Sequence, residues 1–371
     1  MSDWPRISLG DIFEIARGGS PRPIDAYITD ADDGINWISI ADASDSSKYI
    51  ERTKRRIRPE GATRSRAVVP GDLLLTNSMS FGRPYIMRTT GCIHDGWLVL
   101  AKKREGIDQD FFYRLLGSET VYAAFARLAA GATVKNLNIE LVKGVSVPVP
   151  PLPEQRRIAA ILDQADALRA KRRDALAQLD SLTQSIFIEM FGEPVANCMK
   201  WPELTFDQTF RDETSRATKT LQADYLDAGA IPVIDQGQKT VAGYVNEEAK
   251  LCPCELPVIV FGDHTRAVKL ITFPFAVGAD GAKVLVPKSG VSAVYVAHLL
   301  RLLPIPNLGY SRHMKELKRL LYPVPPIALQ QTFANRIQAV ESFRATHRAA
   351  LTELDALFAS LQHRAFAGQL S

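Results

Sequence analysis

Pro148-Val149-Pro150-Pro151-Leu152-Pro153-Glu154-Gln155 opens a run that reaches Phe191 without another Gly or Pro. Pro323-Val324-Pro325-Pro326-Ile327-Ala328-Leu329-Gln330 opens a second run, towards Phe366. At one constant offset the two stretches share Gln155/Gln330, Ala159/Ala334, Arg169/Arg344, Arg173/Arg348, Leu176/Leu351, Asp180/Asp355, Leu182/Leu357 and Phe191/Phe366. An ungapped repeat of this length sets the architecture before any single residue does.

Both stretches have a helical period. Ile158, Leu162, Ala165, Leu168, Ala175, Leu179, Leu182 and Ile186 recur at steps of three and four, as do Phe333, Ile337, Val340, Phe343, Ala350, Leu354, Leu357 and Leu361. That spacing predicts one apolar stripe per helix. The prolines favour extended backbone and then a first helical turn. Gly192 with Pro194, and Gly368, provide the stops. Each helix is expected to run about 38 residues, or roughly 57 Å. Helices this long need partners of equal length, and each stripe is the natural partner of the other. If the second unit repeats the first about a two-fold axis, the helices are antiparallel with a globular region at either end. Arg172 and His347 occupy matching seam positions. They are expected to be solvated at a local stagger, with a register-fixing polar layer as the alternative.

The expected fold is α+β, with small mixed sheets in two globular domains. The expected divisions are 1–150, 151–193, 194–322 and 323–371, a domain and a spacer helix twice over. In the first region Ile7–Phe13, Ile35–Ile40, Leu73–Thr76 and Ile93–Leu100 read as strands or strand and turn, and Phe111–Leu128 as a helix. The second echoes them with Ile231–Ile234, Leu256–Phe261, Phe275–Val286 and the helix Val294–Leu303. The elements are retained while the polar loops differ. Asn77-Ser78-Met79-Ser80-Phe81-Gly82-Arg83 in one copy is replaced by Gly262-Asp263-His264-Thr265-Arg266 in the other.

Composition is that of a globular protein, with a formal net charge of +4 and a pI near 8.8. This permits nucleic-acid binding without requiring it. Cys92, Cys198, Cys252 and Cys254 form neither a disulfide framework nor a paired CxxC array. The polar start and the lack of a long apolar run read as cytoplasmic, with no membrane partner.

The whole chain resembles the specificity (S) subunit of type I restriction–modification enzymes. The resemblance lies in Pro150-Pro151-Leu152-Pro153-Glu154-Gln155 and its second copy, in Gly71-Asp72-Leu73-Leu74-Leu75-Thr76 with Ser80-Phe81-Gly82-Arg83-Pro84-Tyr85, and in Phe261 to Arg266. It implies two target-recognition domains, each reading half of a gapped sequence in double-stranded DNA. The paired helices would hold the domains apart and dock methyltransferase (M) subunits, two in number, alongside restriction (R) subunits. S-adenosylmethionine, ATP and Mg are expected on those partners, and no cofactor in this chain. Pro151, Glu154, Gln155, Ile158, Leu162, Leu179, Gln330, Phe333, Ile337 and Leu354 are the expected docking and spacer residues. Leu329 stands where the first copy has Glu154, so the two docking ends need not be equivalent. Related readings are the specificity subunit of a modification-only or phage-defence methyltransferase, and, in a different class, a coiled-coil scaffold for proteins.

The residues are compatible with DNA reading. Base edges are distinguished by Arg or Lys on guanine and Asn or Gln on adenine. Asn77, Ser78, Ser80, Arg83 and His94 in the first region, and Gln236, Gln238, Lys239, His264 and Arg266 in the second, are candidate base contacts. Arg55, Arg56, Arg64, Arg66, Lys269 and Arg312 are candidate phosphate contacts. The mid-helix group Arg169, Lys171, Arg172 and Arg173 reads as solvated helix charge. No Asn/Asp-Pro-Pro-aromatic methyltransferase motif, Walker A motif or HExxH occurs. Gly18-Gly19 reads as a turn, and Asp263-His264 as a structural or contact pair.

Overall fold

The computed structural model describes residues 4–44, 48–77, 82–129, 137–279, 281–309 and 311–370. The chain forms two compact units. The first is Met1–Lys171 with Leu351–Ser371; the second is Arg172–Ala350. Each therefore contains one globular region and a portion of both long helices.

The long helices are Leu152–Phe191 and Ile327–Phe366, 40 residues each, or about 60 Å at 1.5 Å per residue. Their starts show why a glutamine recurs. Gln155 is buried; its Nε2 donates to the Pro150 and Gly106 carbonyls (2.8 and 3.0 Å), and its Oε1 accepts the Asp108 N–H (2.9 Å). Gln330 does the same with the Pro325 and Gly290 carbonyls (2.7 and 3.1 Å) and the Ser292 N–H (2.7 Å). Asp108 and Ser292 are the N-caps of helices Gln109–Leu116 and Ala293–Leu302. One buried amide thus ties each long helix to the cap of a domain helix and pairs its own oxygen and nitrogen with three backbone groups. Gly192 ends the first helix at φ +76°, and Gly368 follows the second at φ +70°, the left-handed geometry that glycine accepts without strain.

Within each unit the helix portions run antiparallel. In the first unit Arg157 meets the Leu370 carbonyl, and Arg169 meets Asp355 at 2.6 Å. In the second, Arg172 meets His347 (3.2 Å), Asp180 meets Arg344 (2.7 Å) and Glu189 meets Arg336 (3.9 Å). Numbers fall on one helix as they rise on the other.

The seam differs in phase from the expected stripe. Ile158, Leu162, Ala165, Phe333, Ile337 and Val340 are buried as expected, and Leu179 and Leu354 are half-buried. Leu168, Leu182, Phe343 and Leu357 are instead 51, 44, 63 and 49% exposed. The inward positions near mid-helix belong to Arg169, Thr183 and Arg344. The side chain of Arg169 is 19% exposed and pairs with Asp166 and Asp355 (2.8 and 2.6 Å), so it is not solvated helix charge. Its repeat equivalent Arg344 pairs with Asp180 and Glu341 and donates to the Leu179 carbonyl. Arg172 and His347 are hydrogen-bonded to each other. Arg172 is nonetheless exposed, as expected, and the carboxylate partners that half-buried guanidiniums require belong to Arg169 and Arg344.

The first globular region closes with Arg6–Ser8 antiparallel to Ser146–Pro148. One five-stranded sheet runs in the order Phe13–Arg17, Trp97–Lys102, Leu73–Thr76, Pro84–Met87, Tyr49–Ile50. The other runs Ile28–Thr29, Arg55–Ile57, Ile35–Ile38, Gly91–Ile93, Arg66–Val68. Every residue of Leu73–Thr76 is buried, which explains its unbroken apolar run. The second region repeats the plan. Glu203–Leu204 pairs with Tyr322–Pro323. One four-stranded sheet is Phe210–Asp212, Ala282–Pro287, Val258–Gly262, Val268–Ile271, and the other is Lys219–Thr220, Ala276–Gly278, Ile231–Ile234, Gly243–Val245.

Two expected elements are divided. The helix expected over Phe111–Leu128 is two, Gln109–Leu116 and Glu119–Ala129, separated at Gly117-Ser118, where the Ser118 hydroxyl takes up the Leu115 carbonyl. The strand expected over Ile93–Leu100 belongs to both sheets, because the His94 Nδ1 accepts the Gly96 N–H (2.8 Å) and turns the chain between them. Phe275–Val286 is divided in the same way.

Each unit has a core in which its domain helices meet its helix portions. Phe111, Phe112, Leu115 and Val142 pack with Ile158, Leu162 and Ala365 in the first. Tyr295, Leu299 and Tyr322 pack with Phe187, Phe191, Phe333 and Ile337 in the second.

Candidate nucleic-acid interface

In the first unit the candidate residues divide between structure and surface. Asn77 is 1% exposed, and its backbone binds the Gly96 carbonyl and the Leu137 N–H. Its side-chain Oδ1 is buried with no hydrogen-bond partner among the described residues. Ser78 and Ser80 lie outside the described residues. Arg83 is exposed, and its N–H is fixed on the Thr76 hydroxyl at 2.9 Å. His94 packs beside Trp37 and Trp97, each 6.2 Å away between ring centroids. Burial pushes its pKa below the ordinary histidine value, so at neutral pH it is an uncharged turn-former. Arg55, Arg56, Arg64 and Arg66 are all exposed, in or next to strands of the Ile35–Ile38 sheet. Arg64 lies over the Tyr27 ring at 5.8 Å. Gly18 and Gly19 extend the Phe13–Arg17 strand, donating to the Trp97 and Ile93 carbonyls.

The second unit gathers its candidates more tightly. The loop after Ile231–Ile234 meets the hairpin turn between Val258–Gly262 and Val268–Ile271. Gln236 Oε1 accepts the His264 N–H (3.3 Å), and the Gln236 carbonyl accepts the Thr265 hydroxyl. Gly281, at φ +82°, passes so close that a Cβ would lie 2.3 Å from Gln236 Oε1, and its left-handed backbone would strain a residue with a side chain. Gln238, Lys239 and Arg312 are exposed. Arg266 is fixed by a 3.0 Å bond to the Ile305 carbonyl. Lys269 is a correction: it is 6% exposed, and its ammonium donates to the Asp235 carbonyl (2.8 Å) and carboxylate. An ammonium enclosed in this way steadies the Asp235 loop and offers nothing to a phosphate.

The anchor of this turn is invisible in the sequence. His313 is fully buried; its N–H and its Nδ1 both reach the Asp263 carbonyl at 2.8 Å, while its Nε2 accepts the Leu308 N–H at 3.1 Å. That donor fixes a neutral ring with the proton on Nδ1. The Asp263 carboxylate accepts the Met314 N–H at 2.7 Å and faces Lys283 at 3.9 Å. Asp263 thus joins the turn to the segment after Pro304, about fifty residues away in the chain.

The first unit has an ionic counterpart. Arg114 pairs with Asp163 and Asp166 of the first long helix (2.7 and 3.0 Å). Lys48 bridges Asp110 and Asp163 (2.8 and 2.6 Å). For Lys48, burial lowers the pKa, but its hydrogen bonds to the Asp110 and Asp163 carboxylates and their charge outweigh it and raise the net value. At the helix starts Pro151 is exposed, and Glu154 is half-buried and paired with Arg157 at 2.8 Å. That hydrogen bond holds its carboxyl below the ordinary range. No helix among the described residues is long and apolar enough to cross a membrane.

Residues 1–178 match the model of the type I restriction modification DNA specificity domain. The MjaIX specificity subunit of Methanocaldococcus jannaschii is 26% identical over 200 residues, 53% of this chain and 46% of that protein. The EcoBI specificity subunit of Escherichia coli is 26% identical over 205 residues, 52% of this chain and 42% of that protein. These matches thus span about half of each curated relative, or less. Among solved structures, the type I S subunit from M. genitalium superposes with a TM-score of 0.61 at 16% identity, covering 98% of this chain and 96% of that one. A chain from a study of complex assembly and conformational transition in the type I system gives 0.59 at 16% identity over 99 and 98%. Residues 1–178, just under half of the chain, are thus similar to the type I restriction modification DNA specificity domain, and nearly the whole chain shares its fold with these solved structures.

Proposed function

We propose that this chain is the sequence-reading, non-catalytic subunit of a type I restriction–modification complex. Each unit would read one half of a gapped site in double-stranded DNA. The observation that carries this reading is the retention of one frame with unlike loops. Gln155 and Gln330 make equivalent bonds, and the sheets follow one plan. The polar turns, in contrast, share no residue pattern, as expected of a frame that presents two different readers. Exposed arginines on the first unit's second sheet supply sequence-independent attraction to phosphates.

Partner docking has its own support. Leu168 and Phe343 are repeat equivalents, as are Leu182 and Leu357, and all four are exposed apolar residues on the long helices. A recurring, exposed apolar stripe suits two methyltransferase subunits docking in equivalent ways. S-adenosylmethionine would be bound by those subunits, and ATP and Mg by the restriction subunits. The test is DNA binding by the assembled S–M complex at several salt concentrations. A reader gives sequence-selective binding that weakens steeply with salt. Equal affinity for all duplexes, or none, contradicts the proposal.

A further inference from the structure

Beside the Asp263–Arg266 turn, the second unit has an open concavity of about 380 Å³. Gln238, Thr265, Arg266 and Arg301 line it, with Leu300 and Leu303 as apolar wall, and no acidic residue is among its lining residues. Arg301 extends from the helix Ala293–Leu302. Its Nε and Nη2 both donate to the Val268 carbonyl, at 3.4 and 3.2 Å. Arg266 Nη1 donates to the Ile305 carbonyl at 3.0 Å. Each guanidinium is thus held by a neutral backbone oxygen, which orients it without an ion pair, Glu341 acting on Arg301 only from a longer range. Among the described residues no carboxylate lies within 4 Å of either.

Arg266 carries a second mark. Its backbone sits at φ +61°, a left-handed conformation that a side-chain-bearing residue adopts only at a cost. Glycine or asparagine would fill that turn position without strain, so the guanidinium is what the position gains. The Thr265 hydroxyl is taken up by the Gln236 carbonyl and the Ala267 N–H. It fixes the rim, while the exposed Gln238 amide remains as a neutral donor. Planar guanidinium forks are suited to tetrahedral oxyanions, which accept paired N–H donors and neutralise both charges.

We propose that Arg266, Arg301 and Gln238 form a binding pocket for a phosphate-class oxyanion, supplied by a DNA backbone or as free phosphate. The DNA source rests on the reading given above; the free source does not. This takes Arg266 from base contact to phosphate contact and adds Arg301, which the sequence did not single out. Arg301→Gln tests it on the full chain, with Arg319→Gln as a charge-matched control elsewhere in the second unit. First, melting is compared in sodium phosphate and in sodium chloride of equal ionic strength. A free phosphate site raises the wild-type Tm by about 2 °C or more over chloride; Arg301→Gln abolishes the rise and Arg319→Gln keeps it. Second, DNA affinity of the S–M complex is followed against salt. A backbone contact makes the Arg301→Gln slope of log K on log salt shallower by about 0.9, with sequence preference unchanged. Silence in both measurements, or equal effects of Arg319→Gln, overturns the pocket. A complex that binds no DNA removes the DNA source alone, and the melting comparison still decides the free one.

Discussion

Single residues fix the frame where one buried side chain serves several backbone groups. Gln155 and Gln330 are such residues. Truncating either to Ala leaves the buried Pro150 or Pro325 carbonyl without this donor, so each variant is expected to lose roughly 1–3 kcal/mol. Urea unfolding measures it; a loss under about 0.5 kcal/mol contradicts this role. His298 gives a pH signature. It is half-buried beside Phe333, and burial lowers its pKa to about 4. The unfolded chain binds this proton below about 6.5 while the folded one remains neutral, so stability falls as pH falls from about 6.5 towards 4. The contribution is about 2 kcal/mol between pH 6.5 and 5. The His298→Gln variant should show a flatter decline over that window; parallel curves would contradict the assignment.

At the scale of elements, the long helices were legible and their facing was not. Period, prolines and the glycine stops are local signals, and they placed both helices to within a few residues. The phase failed because each helix carries two apolar faces. Leu168 and Phe343 satisfy the periodicity yet lie outside, while Arg169 and Arg344 lie inside with carboxylate partners. A hydrophobicity pattern cannot report an ion pair formed between residues far apart in sequence. The candidate site was legible only as polar loops. The bond from His313 to Asp263 decides which loop residues meet, and no local signal connects them. The burial of Lys269 is equally non-local, set by the Asp235 loop folding over it. The outward face has a testable consequence. Leu168→Glu and Phe343→Glu should change stability by no more than about 0.5 kcal/mol, yet weaken methyltransferase-subunit binding at least tenfold, or about 1.4 kcal/mol. Unchanged pull-down affinity with purified M subunit would refute docking on this stripe.

At the scale of the whole molecule, one folding plan is used twice, with the loops as variables and the helices as constants. If the helices set the gap, inserting one helical turn in each, at equivalent positions such as after Asp174 and Ala349, lengthens the spacer of the recognised sequence and leaves both half-sites unchanged. An unchanged spacer would remove the ruler role from the helices. The most direct test of the two-reader account is mapping DNA methylation in a host carrying the complete complex, with wild-type chain and with the Lys239→Ala/His264→Ala variant. The account predicts one gapped, two-part methylated sequence, with degeneracy confined to one half in the variant. A contiguous motif, no sequence-specific methylation, or degeneracy spread over both halves would contradict it.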